Sequence, residues 1–262
     1  MSTAALVSAQ RQSQQRARRL VSAEFLKLLR RRVLIAASVA MIVGPVVIAL
    51  VALIVLHAAN PAKYGPAGGV ENLRGTLRLL TQIGAVAAVL IGVNAGGGDL
   101  AAGVFRELVI TGRPRLALFA ARIPGGLALL LPLVAVAVVI EATGSIALAG
   151  SEQTPDAQLL LKYAAWVGLV ATLAFLLALG VSSLLGSRAT SIGILLAWQL
   201  AVAPLLLQSG KLDYLLLGAA LKRIEPGGGD VSISLITAIV LILAWTIAPL
   251  VAGAWRTHTR DA

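Results

Sequence analysis

Six stretches of this chain contain no Asp, Glu, Lys or Arg at all: residues 33–62, 79–98, 123–140, 163–187, 189–210 and 231–255. At roughly 1.5 Å of rise per residue, each is long enough to cross a hydrocarbon core of about 30 Å as a helix. In lipid a backbone must satisfy its own polar groups, which a helix does within one segment. The expected fold class is therefore an all-α integral membrane protein with six transmembrane helices, at about 33–57, 76–98, 123–143, 160–185, 189–207 and 232–255. Together they form a membrane domain over 33–255 and leave room for only a very small soluble domain.

Composition agrees with this reading. Of the 262 residues 58% are hydrophobic and only 13% charged, well outside the range of ordinary soluble domains. There is no cysteine, which excludes disulfides, thiolate catalysis and cysteine-ligated metals. The first apolar run lies behind a long basic head, too far in for a cleavable signal peptide, and is read as a retained first span.

The net charge of +11 would point to nucleic acid in a soluble protein, so the positions of the basic residues decide its meaning. One side of the six-span layout holds Arg11, Arg16, Arg18, Arg19, Lys27, Arg30, Arg31 and Arg32, then Arg106, Arg113, Arg115 and Arg122, then Arg188, Arg256 and Arg260. The other side holds seven basic residues over longer loops: Lys63, Arg74, Arg78, Lys162, Lys211, Lys222 and Arg223. Under the positive-inside rule both termini are cytoplasmic, and the charge is topological in origin rather than a nucleic-acid footprint. The location expected is the plasma (inner) membrane.

Residues 1–15 are Gln- and Ser-rich and read as a disordered cytoplasmic tail, matched by a second short tail over 256–262. From Arg16 to Arg32 the pattern changes. Val21, Phe25, Leu28 and Leu29 recur at helical spacing, while Arg18, Lys27, Arg30 and Arg31 populate other faces. That pattern predicts an amphipathic helix in the inner headgroup layer, its basic residues near anionic lipid. A plain positive anchor would account for the charge but not for the apolar stripe. Within the spans, Gly92 and Gly96 form a GxxxG that permits close helix contact. The short connection GSRAT predicts antiparallel neighbours for spans four and five. Between spans five and six, Tyr214, Leu217, Leu221 and Ile224 share one helical face, ended by Glu225, Pro226 and three glycines. A short helix dipping into the outer leaflet fits this segment, as does an ordinary amphipathic loop helix.

Motifs that carry chemistry are scarce. No GxxxxGK[ST] occurs, since Gly210-Lys211 is followed by leucine, so the chain does not bind ATP through such a loop. No HExxH occurs, and His57 and His258 fall at opposite membrane faces, where each reads as an interfacial residue. The spans hold amides and hydroxyls such as Gln82, Asn94, Ser182, Ser183 and Gln199, which glue helices together more often than they react. Glu141, near the outer end of span three, is expected to snorkel to the interface. No catalytic, cofactor or metal site emerges. With almost no charge inside the spans to mark an ion pathway, a transporter built this way needs an energy source outside the chain.

The connection between spans two and three, GDLAAGVFRELVITGRPRLALFAAR, is the most informative stretch. Leu100, Val104, Phe105, Leu108 and Val109 fall on one helical stripe beside Arg106 and Glu107, and Gly112 to Pro114 break the helix. A cytoplasmic helix with one apolar side and charged flanks is suited to a groove in a soluble partner.

The run Gly103-x-x-Arg106-Glu107-Leu108, followed by Gly112, Arg113 and Pro114 and an apolar stretch ending in Arg122, resembles the coupling-helix region of ABC-2 type transporter permeases. EFLKLLRRR before the first span is similar to that family's connecting helix, and the segment 208–230 to its outer re-entrant region. Asp99 departs from the family pattern, which places glutamate a few residues before the glycine. The resemblance implies the membrane-spanning subunit of an ATP-driven ABC exporter, itself not an enzyme. It pairs with a second permease subunit, identical or related, and with separate ATP-binding subunits that hold ATP and Mg²⁺. Val104, Phe105, Arg106, Glu107 and Leu108 would sit in the ATPase groove, with Arg16 to Arg32 beside them. The apolar spans favour a hydrophobic or amphipathic cargo. The alternative is a non-transporting six-span scaffold or assembly factor.

Overall fold

The structure, a computed structural model, describes residues 3–101, 103, 114–209, 215–228 and 233–259. Among these there is no strand, and the chain runs α1 (Thr3–Leu29), α2 (Arg32–Ala59), α3 (Val70–Ala101), α4 (Arg115–Ala147), α5 (Ala157–Leu185), α6 (Arg188–Ala197), a π-helical turn (Trp198–Val202), α7 (Ala203–Ser209), α8 (Leu217–Arg223) and α9 (Leu235–Thr259). Six helical segments are long and apolar enough to cross a membrane: α2, α3, α4, α5, the continuous run Arg188–Gln208 and α9. The chain is a multi-pass, all-helical membrane protein.

The helices overrun the charge-free stretches. α1 starts at Thr3 rather than Arg16, because Ala, Gln and Arg between them are good helix formers. α4 starts at Arg115, directly after Pro114, so Arg122 lies inside a span rather than before it. A charge-free window marks where lipid forbids charge; it does not mark where a helix stops if the charge has a partner.

The bundle is built around α3 and α5, whose mutual contact is the most extensive of any pair. Over its most apolar 18 residues α3 is 61% buried, against 11% for the α6–α7 run and for α9, which lie at the periphery. The GxxxG allows the close approach: a Cβ on Gly92 would lie 2.5 Å from the Phe175 carbonyl oxygen, and one on Gly96 2.5 Å from that of Leu179. Ser182 and Ser183 then donate across this seam to the Val93 and Gly96 carbonyl oxygens, at 3.0 and 3.3 Å. Small residues act here as the contact and hydroxyls as the glue, the usual division of labour where lipid removes the hydrophobic drive between helices.

The turn between α5 and α6 uses Gly186 in the left-handed region (φ 73°) and Ser187 as N-cap, its side chain accepting from the Thr190 N–H. α6 then leans on α3 as well as on α5. The π turn that follows precedes Pro204, which has no N–H to donate and whose ring crowds the Leu200 carbonyl, so the ladder widens there. Trp198 in this turn packs on Trp245 of α9, ring centroids 5.4 Å apart, and Trp245 Nε1 donates to the Leu215 carbonyl oxygen at 2.9 Å.

Candidate functional site

The described residues place their densest polar chemistry at one end of the bundle, around Asp99 at the end of α3. Its side chain is reached from two other helices. Lys27 of α1 donates to Oδ1 and Oδ2 at 2.9 and 3.1 Å, and Arg122 of α4 to Oδ2 at 3.0 Å. Arg122 also donates to the Gly96 carbonyl oxygen at 2.9 Å, and Lys27 pairs with Glu24 at 2.5 Å. Asp99 is 4% exposed and Arg122 1%, so both charges are out of contact with solvent and lipid. A lone charge buried this far would be prohibitively costly; the three-way pairing is what makes the arrangement tenable. One turn deeper, Arg31 NH1 donates to Asn94 Oδ1 at 2.6 Å, and Asn94 Nδ2 to the Leu90 carbonyl oxygen at 2.8 Å.

This geometry revises the expectation for α1. Its stripe faces protein: Leu28 is fully buried in the main core and Phe25 packs against that core. Gly125 of α4 lets the helix approach, since a Cβ there would lie 2.7 Å from Glu24 Cβ and 3.3 Å from the Val21 carbonyl oxygen. Leu29 remains 39% exposed and Arg30 is exposed, while Arg31 is half-buried on Asn94. Lys27 is turned to Asp99 rather than to anionic lipid. Arg122, read from sequence as a topological charge, is the most deeply paired cation at this end. The signal for it was available: opposite charges, Asp99 and Arg122, flank the 104–113 segment at the adjoining ends of successive spans. The proposed coupling residues Val104, Phe105, Arg106, Glu107 and Leu108 lie outside the described residues. Asp99 and Arg122 bracket that segment and, with Lys27, join its two ends to α1.

A second polar cluster, at the opposite end of the bundle, holds α8 to the first turns of α3 and α5. Glu225 pairs with Arg78, Tyr163 donates to the Pro226 carbonyl oxygen at 2.6 Å, and Trp166 Nε1 to that of Leu221 at 3.4 Å. Leu221 and Ile224 pack against the main core, but the residues of α8 that are fully covered are Ala219 and Ala220, with Leu216 just before it. Leu217, placed on the buried stripe by helical spacing, is half-buried, and Tyr214 lies outside the described residues. The neighbours of α8 include α9, which presses on it from another side and enlarges the covered face.

Glu141 does not snorkel. It is fully buried, its Oε1 accepting from Ser145 at 2.9 Å, with the Thr76 hydroxyl against the same carboxyl. α4 continues to Ala147, so Glu141 sits inside the helix, and α2 closes over this end where Leu50 fills the space above Gly144. His57 lies near the outer end of α2, with Nδ1 2.9 Å from the Tyr64 carbonyl oxygen. Among the described residues, no three His, Asp or Glu side chains converge on a metal-sized site. No model of a known protein family matches the chain, and no curated protein does.

Proposed function

We propose that this chain is the transmembrane permease subunit of an ATP-driven exporter of the ABC-2 type, in the plasma (inner) membrane with both termini in the cytoplasm. The observation that carries the reading is the Lys27–Asp99–Arg122 cluster, which joins α1 to the two ends of the 104–113 connection. A soluble motor bound at Val104 to Leu108 would push on a segment whose flanks are held by buried ion pairs rather than by loose loop. Buried ionic pairing is directional and stiff compared with lipid-facing packing, so displacement there reaches α3, and through the glycine seam α5. α1, packed on α4, moves with them. ATP and Mg²⁺ belong to the partner subunits in this scheme, and this chain contributes the pathway, paired with a second permease subunit. The outer α8, tied to α3 and α5 through Arg78, Tyr163 and Trp166, would shape the exit.

Co-expression with a candidate ABC-type ATP-binding subunit from the same organism, followed by affinity purification in detergent, tests the assignment. The wild-type chain is expected to retain the ATPase, and the double reversal Arg106→Glu with Glu107→Arg to lose most of it. Equal recovery with the reversal, or no ATPase recovered with the wild type, would favour the six-span scaffold instead.

A further inference from the structure

Six charged side chains gather at the inner end of the bundle, and their pairing is uneven. Lys27 and Arg122 share Asp99, and Lys27 also meets Glu24. Arg31 and Arg188 have no carboxylate oxygen within 4 Å among the described residues, although Asp99 acts on Arg31 from farther off. They stand over consecutive positions of α3: a Cβ on Gly97 would lie 3.5 Å from Arg188 Cγ, and one on Gly98 3.5 Å from Arg31 NH2. Neither glycine contributes a side chain of its own beneath the two arginines, and the Ser182 hydroxyl lies against Gly97, where it would collide with an added Cβ. Burial first and the Arg188 charge second pull the Arg31 guanidinium below its ordinary value, with Asp99 opposing, so the two cations are electrostatically in contact.

We propose that Arg31 and Arg188 form a phosphate-binding site at the inner membrane boundary, occupied by the headgroup of an anionic phospholipid. Arg31 has one arm on Asn94, and a phosphate that accepted from its remaining donors and from the Arg188 guanidinium would cancel the repulsion between the two cations. Placement favours a lipid as the source. Arg31 directly precedes the first span and Arg188 opens the fifth, so both stand at headgroup level. Each is flanked along the chain by exposed apolar side chains, Val33 at 84% and Leu184 and Leu185 at 37% and 41%, against which acyl chains pack. Anionic lipid is enriched in the inner leaflet, where clustered arginines read it. The site depends on this end facing the cytoplasm and not on any partner ATPase.

Native mass spectrometry of the purified chain, titrated with phosphatidylglycerol and separately with phosphatidylcholine, reads the site directly. The wild type is expected to hold one phosphatidylglycerol about ten-fold more tightly than phosphatidylcholine, because both carry the phosphate but choline brings a fixed positive charge toward the two guanidiniums. Arg188→Gln and Arg31→Gln are each expected to abolish that preference, while Arg32→Gln, on an exposed neighbour, preserves it. An undiminished preference in Arg188→Gln, with helix content unchanged by circular dichroism, would overturn the proposal. If Arg188→Gln does not fold, Arg31→Gln carries the test, and full retention of the preference there has the same force. Displacement of bound lipid by millimolar inorganic phosphate, with both lipids binding alike, would sink the lipid assignment.

Discussion

Asp99 is the residue on which its end of the bundle depends, because removing it takes from Arg122 its carboxylate and from Lys27 one of two. Breaking one side of a buried ion pair costs about 3–5 kcal/mol, most of it the price of leaving the other charge stranded. Arg122, 1% exposed and among the described residues bonded otherwise only to the Gly96 carbonyl oxygen, is the group that would be stranded. Asp99→Asn is therefore expected to lower stability by about 3 kcal/mol or more in a detergent unfolding assay. Adding Arg122→Met should recover a large part of the loss, since an apolar pair of similar volume is often as stable as the ionic one. No recovery in the double variant would mean that the cost lies in packing around Asp99 and not in the charge. Lys27→Met should cost less than Asp99→Asn, because the Lys27 side chain is 27% exposed and its charge can reach water. This cluster was only half legible in the sequence. The charges and their places at the span ends are plain, but counting them as topology assigned all of them to the cytoplasm. What the count lacks is the third partner: nothing in the local pattern of residues 16–32 selects Lys27 over Arg30 or Arg31 as the one that turns inward.

At the scale of elements, the spans are legible because lipid imposes one rule on every residue of a crossing, and a run such as 33–62 obeys it throughout. The π turn at Trp198–Val202 has a weaker signature, Pro204 alone, which elsewhere in this chain sits inside an unbroken helix, as Pro45 does in α2. The face of α8 was misjudged for a related reason. Helical spacing identifies the apolar stripe of an isolated helix, whereas a helix between α5 and α9 is covered on more than one side and buries small residues as well. Glycines separate the same way, by what surrounds them. Gly96→Ala places a Cβ 2.5 Å from the Leu179 carbonyl oxygen, a backbone atom that cannot rotate away, and is expected to cost about 1–3 kcal/mol. Gly44, in α2, has nothing within 4 Å, so Gly44→Ala should be neutral or stabilising by up to about 1 kcal/mol. Thermal unfolding of the two variants in one detergent checks the pair; equal effects would contradict the packing described for α3 and α5.

For the whole molecule, the division between core and periphery sets what each part is free to do. α3 and α5 form a tight centre sealed by small residues, and α2, the α6–α7 run and α9 present long apolar faces outward. The polar links run from this centre to the two ends: Asp99 with Lys27 and Arg122 at one, Arg78 and Tyr163 with α8 at the other. A push delivered at the inner cluster therefore has a continuous protein route to the outer segment along α3, which carries Asp99 and Arg78 on one helix. The most direct measurement of the proposed function is ATP turnover by the chain assembled in lipid nanodiscs with the ATP-binding subunit that the proposal calls for. Wild-type turnover should fall at least about ten-fold, roughly 1.4 kcal/mol in the barrier, when Arg106 and Glu107 exchange charge, with the six-span fold intact. Turnover that is unchanged by the exchange, in a complex that still contains this chain, would contradict it.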